Sequence, residues 1–523
     1  MRAFHTLTLL VATVAAQYTR LQRRAENDSS AFDWYSLVPS DDIFWTPCFG
    51  SFKCARLNAP LDYNVPNGTQ IQLALQLFPA PDQENRAGTI FINPGGPGDS
   101  ATSFLLADVD KLSSLFGPTF DILAFDPRGV GATTPRVYCF DSPEHADAFG
   151  QHQNLVLRDG DGSIPRARAQ KEVIGSLCKD KVGDAAQFMD TEHVATDMLH
   201  LLSKIGQEKL LYWGISYGTV LGQYFASLFP EKIERMVLDG IADGEEWQAG
   251  NIVPWIADAD KIMAAFFANC AAAGSSKCAI AEATAEEVEA RLERILTAVE
   301  NDPIPIPQSL TGPYVYTSDN TALLIISSLY APLAAFPVLA ETLRALETRN
   351  LTFLAQQGYI SSDVGQQPWQ QSSSAQFAIE CSDFPQLDGS LNAAIATVRN
   401  ATAVSKWLGP IWSILPIACG AWPIQAKDRY TGSVSSTSDT PILGISNLYD
   451  AVTPLSGARA VSQRFGGMQL LEHNTVGHTA FLSLSTCVAD AVQTYFTSGQ
   501  LPREGTVCEP DELPLLGPRT QTE

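Results

Sequence analysis

The run Trp213-Gly214-Ile215-Ser216-Tyr217-Gly218-Thr219 constrains this chain more than any other. Its Gly-x-Ser-x-Gly form sets a serine on a sharp strand-to-helix turn, with glycine at the two positions where a side chain would strike the adjoining strand or helix. The flanking residues fit that turn. Lys209 to Trp213 is a short apolar run suited to a strand buried on both faces, and Val220 to Phe229 is a helix-length apolar segment closed by Pro230. Strand, turn and helix in this order expose the Ser216 hydroxyl at the strand's C-terminal end, which makes Ser216 the candidate nucleophile.

The surrounding segments alternate between strand and helix texture. Phe32 to Asn85 holds strand-like stretches such as Gln70 to Phe78, divided by turn clusters such as Asn67-Gly68, and reads as the antiparallel edge of a larger sheet. Gly88 to Asn93 is a buried-strand pattern that runs into Pro94-Gly95-Gly96-Pro97-Gly98, a turn whose backbone amides could hold an oxyanion. Phe120 to Phe125 is a further strand, ending in the polar turn Asp126-Pro127-Arg128-Gly129-Val130-Gly131. Thr191 to Ile205 is an amphipathic helix with Val194, Met198, Leu201, Leu202 and Ile205 on one face and Asp190 or Thr191 as its cap. The pattern predicts an α/β fold, a doubly wound and mostly parallel sheet covered on both faces. After the strand Arg235 to Leu238 the texture changes. Helical stretches, Ala281 to Glu300 and Thr321 to Leu346, and the polar run Gly365 to Ser374 predict an inserted helical cap over residues 247–422, which splits the core into 25–246 and 423–523.

Sheet texture returns with Pro441 to Ser446, followed by Asp450, and with Met468 to Glu472, followed by His478. A serine hydroxyl is a weak nucleophile until an imidazole takes its proton, and the imidazole needs a carboxylate to orient it and to stabilise its charge. Ser216, Asp450 and His478, each on a loop at one edge of the sheet, therefore form the candidate catalytic set. His473 lies at the end of the expected strand and reads as a packed or surface histidine; Asp490 falls in a helix-like segment and reads as a solvated charge. The oxyanion formed on attack needs two amide donors about 3 Å away. Tyr217 N–H, next after the nucleophile, and Gly96 N–H, in the glycine turn, are the candidates.

Composition places this chemistry outside the cytosol. Met1 to Ala16 has the layout of a secretory signal, and Arg23-Arg24 ends a possible pro-segment at 17–24. Ten cysteines without paired Cys-x-x-Cys spacing are most simply five disulfides, and pairing in sequence order gives Cys48–Cys54, Cys139–Cys178, Cys270–Cys278, Cys381–Cys419 and Cys487–Cys508. Asn27, Asn67, Asn350 and Asn400 head glycosylation sequons. Hydrophobic residues make up 45% and charged residues 17%, which excludes disorder for most of the chain. The formal charge of -23 argues against nucleic acid and anionic membrane partners, and no metal or cofactor is expected. A peptide or a small acyl compound is the expected substrate; oligomeric state stays open.

Asn93-Pro-Gly-Gly-Pro-Gly98, Phe125-Asp-Pro-Arg-Gly-Val-Gly131, Gly214-Ile-Ser-Tyr-Gly-Thr219, Val237-Leu-Asp-Gly240, Asp450-Ala-Val-Thr-Pro454 and Gly477-His478, together with Ala378-Ile-Glu-Cys-Ser-Asp383, resemble the secreted tripeptidyl-aminopeptidase-like branch of the prolyl aminopeptidase family, within the α/β-hydrolase superfamily. The resemblance runs from Phe44 to Cys508. It implies a carboxylate in the cap that holds the substrate's free α-amino group, at Glu380 or Asp383, either of which could instead be a structural charge beside Cys381. With ordinary values for both partners, such an ion pair would persist from about pH 4 to about pH 8. The same fold hosts esterases, lactonases and thioesterases with the same catalytic set, and a binding protein on the scaffold is a further alternative.

Overall fold

The computed structural model describes residues 32–150, 152–153, 155–309, 312–357, 371–436 and 441–519; the expected leader, the segment 17–24, Asn27 and the part of the polar run before Gln371 lie outside them. One sheet of ten strands carries the molecule. In chain order these are β1 (Thr46–Cys48), β2 (Phe52–Pro60), β3 (Gln70–Phe78), β4 (Gly88–Asn93), β5 (Phe120–Phe125), β6 (Leu210–Ile215) and β7 (Ile233–Asp239). After a small separate pair, β8 (Ile304–Ile306) and β9 (Tyr314–Tyr316), come β10 (Ile442–Tyr449), β11 (Met468–Val476) and β12 (Val507–Cys508). Across the sheet the order is β1-β2-β3-β5-β4-β6-β7-β10-β11-β12. The edge from β1 to β3, and its junction with β5, is antiparallel; every pairing beyond is parallel.

Every residue of β4, β5 and β6 is buried, which is why these strands read as unbroken apolar runs. Alternate residues feed two cores, as the period-two pleat requires. Ile90, Ile92 and Trp213 pack with Phe116, Val492 and Phe496 on one face, while Phe91 and Tyr212 pack with Met198, Val220 and Leu221 on the other. The chain crosses from β4 to β5 on one side and returns to β6 on the other, so the sheet reverses direction of winding between β4 and β6. Ligands bind at such a switch point, outside the strands' carboxyl ends. The glycine turn leaves β4 there, and the serine turn leaves β6 beside it.

A third core belongs to the helices Ala259–Ala273, Ala285–Asn301, Ser318–Tyr330 and Pro332–Glu347, through Ile262, Phe266, Leu292, Ile325, Phe336 and Leu343. The stretch expected as one helix from Thr321 to Leu346 is two, because Pro332 cannot continue the helix before it and starts the next instead. The helix Ser163–Val182, between β5 and the helix Thr191–Ile205, packs against Leu391–Val404 and Ile414–Gly420, so a segment outside the expected insertion 247–422 joins two of its helices. All ten cysteines are paired as their sequence order suggests. Asn67, Asn350 and Asn400 are exposed. Among the described residues no helix is long and apolar enough to cross a membrane.

Candidate active site

The serine turn is held in a conformation that ordinary residues avoid. Ser216 has φ 56° and ψ −123°, and its N–H donates to the Asp239 carbonyl at the end of β7 (2.9 Å). Close packing explains both glycines beside it. A Cβ at Gly214 would lie 2.2 Å from the Gly218 carbonyl oxygen, and one at Gly218 would lie 2.5 Å from that of Asn93. Tyr217 opens the helix Tyr217–Leu228, so its amide is among the helix-end donors with no intrahelical acceptor.

Asp450 follows β10 directly and His478 stands just past β11. His478 Nδ1 lies 2.9 Å from Asp450 Oδ1 and 3.1 Å from Oδ2. The same carboxylate accepts the amides of Val452, Thr453 and Thr479 at 2.9 to 3.0 Å. Burial alone would raise the Asp450 carboxyl, but attraction to His478 and these hydrogen bonds hold it below the ordinary value. An imidazole whose Nδ1–H is taken by a carboxylate presents Nε2 as its basic nitrogen. His478 is also fixed from outside the sheet: its N–H donates to the Tyr330 carbonyl (2.8 Å), and its ring meets that of Tyr330 edge-on at 5.0 Å.

His473 lies inside β11, which runs past Glu472 to Val476, because the strand keeps pairing with β10 there. Its Nδ1 contacts Asn447 Oδ1 at 3.0 Å, and burial pushes it down to about 4, so it is a packed neutral ring. Asp490 is exposed on the helix Thr486–Ser498.

The glycine turn after β4 is wedged between two partners. A Cβ at Gly95 would lie 2.5 Å from the Ile215 carbonyl oxygen and 3.0 Å from Tyr217 N, whereas one at Gly98 would lie 2.5 Å from the Ser372 carbonyl oxygen and 2.8 Å from Gln376 N. One side of the turn thus touches the serine turn and the other touches the cap helix Ser372–Asp383. Gly96 sits exposed between them, with φ +102°.

Glu380 and Asp383 lie on that helix and differ in their partners. Asp383 accepts from Thr191 N–H (2.8 Å), Trp247 Nε1 (2.7 Å) and the Thr191 hydroxyl; burial and the nearby Asp190 push its carboxyl up to about 7. Glu380 is 2% exposed, and only Oε1 is engaged, by the Gln376 side-chain amide (2.9 Å). Its Oε2 is buried with no hydrogen-bond partner, and burial pushes the carboxyl up to about 8. Burial also raises the Tyr330 phenol, and the charges of Asp450, Asp99 and Glu380 add to that, so Glu380 and the acid beside His478 share Tyr330 as a neighbour.

A sequence profile described as the alpha/beta hydrolase fold matches residues 88–274, the stretch from β4 through β7 that carries both turns. The chain has the α/β-hydrolase fold. A second profile, described as TAP-like protein, matches residues 405–508, which include Asp450 and His478. Over 483 residues the hydrolase is 28% identical to the serine protease Hip1 of Mycobacterium tuberculosis, spanning 89% of this chain and 91% of that protein. It is 26% identical to the tripeptidyl aminopeptidase of Streptomyces lividans, spanning 90% and 87%, and 26% identical to carboxylesterase B of Mycobacterium tuberculosis, spanning 88% and 86%. Together these make it a serine hydrolase.

Several residues around the hydrolase's site have a part in it that the sequence did not assign, even where they fall in motifs quoted above. Asp239 is one: its carbonyl takes the Ser216 amide while its carboxylate takes the amides of Ala480 (2.7 Å) and Phe481 (2.9 Å), linking the serine turn to the histidine loop. Asn447 is another, donating to the carbonyls of Gly477 (2.8 Å) and Thr479 (2.9 Å) and so setting the loop that carries His478. The polar turn after β5 serves packing: Arg128 and Asp197 form an ion pair with neither side chain exposed.

Proposed function

We propose that this hydrolase is a secreted aminopeptidase that works through an acyl-enzyme. Ser216 is the nucleophile, His478 Nε2 takes its proton and returns it to the leaving amine, and Asp450 orients the imidazole and stabilises its charge. The amides of Tyr217 and Gly96 receive the oxyanion, and Glu380 receives the free α-amino group of the substrate. Export belongs to the same reading, since the leader-like N-terminus and five disulfides suit an oxidising compartment.

The observation that carries the specificity is the unpartnered, buried Oε2 of Glu380 on a helix that touches the glycine turn. A buried acceptor left without a donor costs about 1–3 kcal/mol, and a substrate ammonium supplies the donor. Asp383 has three donors from the protein and none to seek. The raised Glu380 carboxyl also narrows the expected pH window. With an acid at about 8 rather than about 4, the ion pair is strongest close to the amine's own titration, near about pH 8.

The test is amine dependence. The purified enzyme is expected to label stoichiometrically with a fluorophosphonate and to cleave free-amine peptide anilides far faster than their N-acetylated forms. Equal cleavage of both, or activity on simple acyl esters alone, would replace the aminopeptidase by an esterase, an activity named in one relative.

A further inference from the structure

Two carboxylates on one cap helix were candidates for one role, and Asp383 is taken up by a different structure. Its two oxygens face three donors: Thr191 N–H to Oδ1, and the Thr191 hydroxyl and Trp247 Nε1 to Oδ2. Thr191 begins the helix Thr191–Ile205, and its Oγ1 also lies 2.6 Å from the Tyr217 hydroxyl. The threonine has one hydroxyl hydrogen, spent on the carboxylate, so the phenol must be the donor of the second bond. The result is a directed chain, Tyr217 O–H to Thr191 O–H to the Asp383 carboxylate, polarised along its length by the terminal charge. The Tyr217 ring is held from the side by Trp247, at 5.3 Å between centroids, and every group in the chain is buried.

Tyr217 directly follows Ser216 and opens the helix Tyr217–Leu228, and its backbone amide is one of the two proposed oxyanion donors. We infer that Asp383 and Thr191 are positioning residues for that amide: the relay pins the Tyr217 side chain to the cap and so fixes the first turn of the nucleophile helix. Neither touches the substrate. Loss of the relay leaves the amide in place chemically and free to shift, and shifts on the scale of an ångström cost about a hundredfold in rate. The inference rests on the nucleophile assignment made above but not on amine recognition, because the relay serves every acyl substrate alike.

Thr191→Val and Tyr217→Phe each break the chain with little change of volume, and Thr191→Ser keeps the hydroxyl. The probes are a p-nitrophenyl acyl ester and a free-amine peptide anilide, with enzyme concentration set by fluorophosphonate titration. Val and Phe variants are expected to lose about tenfold to a hundredfold in kcat on both substrates, with KM nearly unchanged, while Thr191→Ser keeps most of the wild-type kcat. A merely structural defect would lower the titrated amount of enzyme and leave kcat per labelled site intact. The relay is overturned if Tyr217→Phe keeps wild-type kcat per site, if the loss falls in KM, or if it is confined to the free-amine substrate, which would return Asp383 to amine recognition. Should Thr191→Val fail to fold, Tyr217→Phe decides alone. A wild-type enzyme that resists fluorophosphonate overturns the nucleophile assignment instead, and is told apart from these results by that label.

Discussion

Glu380 and Asp383 leave the helix Ser372–Asp383 less than one turn apart, and both are almost wholly buried, yet their surroundings differ. Asp383 ends a network of three protein donors, while Glu380 has one donor and an unpartnered oxygen. Burial raises both carboxyls, to about 7 and about 8, so titration behaviour alone does not separate them. The donor count does. On the proposed reading, Asp383, saturated by its own protein, holds the fold together, and Glu380, left short of donors, receives one that arrives with the substrate.

The largest expected effect removes the background against which the two acids are compared. Ser216→Ala and His478→Ala should each lower kcat by on the order of 10⁶-fold on ester and peptide alike, with Asp450→Asn nearer 10⁴-fold. Steady-state assays of purified protein check this, and turnover of one substrate class surviving Ser216→Ala would mean that the classes use different chemistry. Next, Glu380→Gln should lower kcat/KM on free-amine peptides by about tenfold to a hundredfold and leave the ester unchanged, the loss of one buried charge-assisted hydrogen bond. A matching loss on the ester would erase the proposed distinction.

The pH profile sharpens the same contrast. Below about 8 the free enzyme holds Glu380 protonated and the substrate amine is an ammonium, so forming the ion pair releases a proton. The peptide-to-ester ratio of kcat/KM should therefore climb toward about pH 8 and fall beyond it as the amine deprotonates, and Glu380→Gln should lose the climbing limb. A flat wild-type ratio between pH 5 and pH 8 contradicts the assignment.

In stability the two acids share one linkage sign, since both carboxyls titrate above their unfolded values, and differ in their donors. Because the folded Glu380 carboxyl titrates above its unfolded value, the folded state binds the extra proton, and stability falls as pH rises between about 4.5 and about 8. Glu380→Gln should therefore be near neutral at pH 4 and stabilising by on the order of 1–3 kcal/mol above pH 8, read from denaturant midpoints. Asp383→Asn relieves the same kind of linkage cost but cannot accept all three donors, so at pH 8 it should be less stable than Glu380→Gln by about 1–3 kcal/mol. Equal midpoint shifts in the two variants would break the comparison. Smallest of all, Asp490→Asn on the exposed helix should change stability by less than about 0.5 kcal/mol and activity not at all.

The parts of this molecule legible in its sequence are those where burial is uniform. The strands β4 and β5 fall on the apolar runs that forecast them, because each is buried along its whole length, and β3 falls on its strand-like stretch Gln70 to Phe78. The helix Thr191–Ile205 matches as well, capped by the Asp190 side chain accepting from His193 N–H. Aliphatic residues on both sides of Pro332 hid a break, and continued pairing with β10 carried β11 past the polar Glu472 and His473. The mixed polar texture of Ser163–Val182 gave no period to read, although that helix packs against the cap. At the site, residue type and order were enough to nominate Ser216, Asp450 and His478. The choice between Glu380 and Asp383 was not available, because it turns on Thr191 and Trp247, each more than a hundred residues away in the chain.

On the reading proposed above, the turn Pro94–Gly98 works as a ruler. Its near side rests on the nucleophile's turn and its far side on the helix that bears the amine-holding acid, with no room for a Cβ at either contact. Both ends of the measurement, the scissile carbonyl and the peptide's first nitrogen, are therefore referred to one short rigid segment rather than to the cap as a whole. How many residues leave with each cut would then be a property of that spacing, and lengthening the cap elsewhere would change which peptides enter without changing how long the released pieces are.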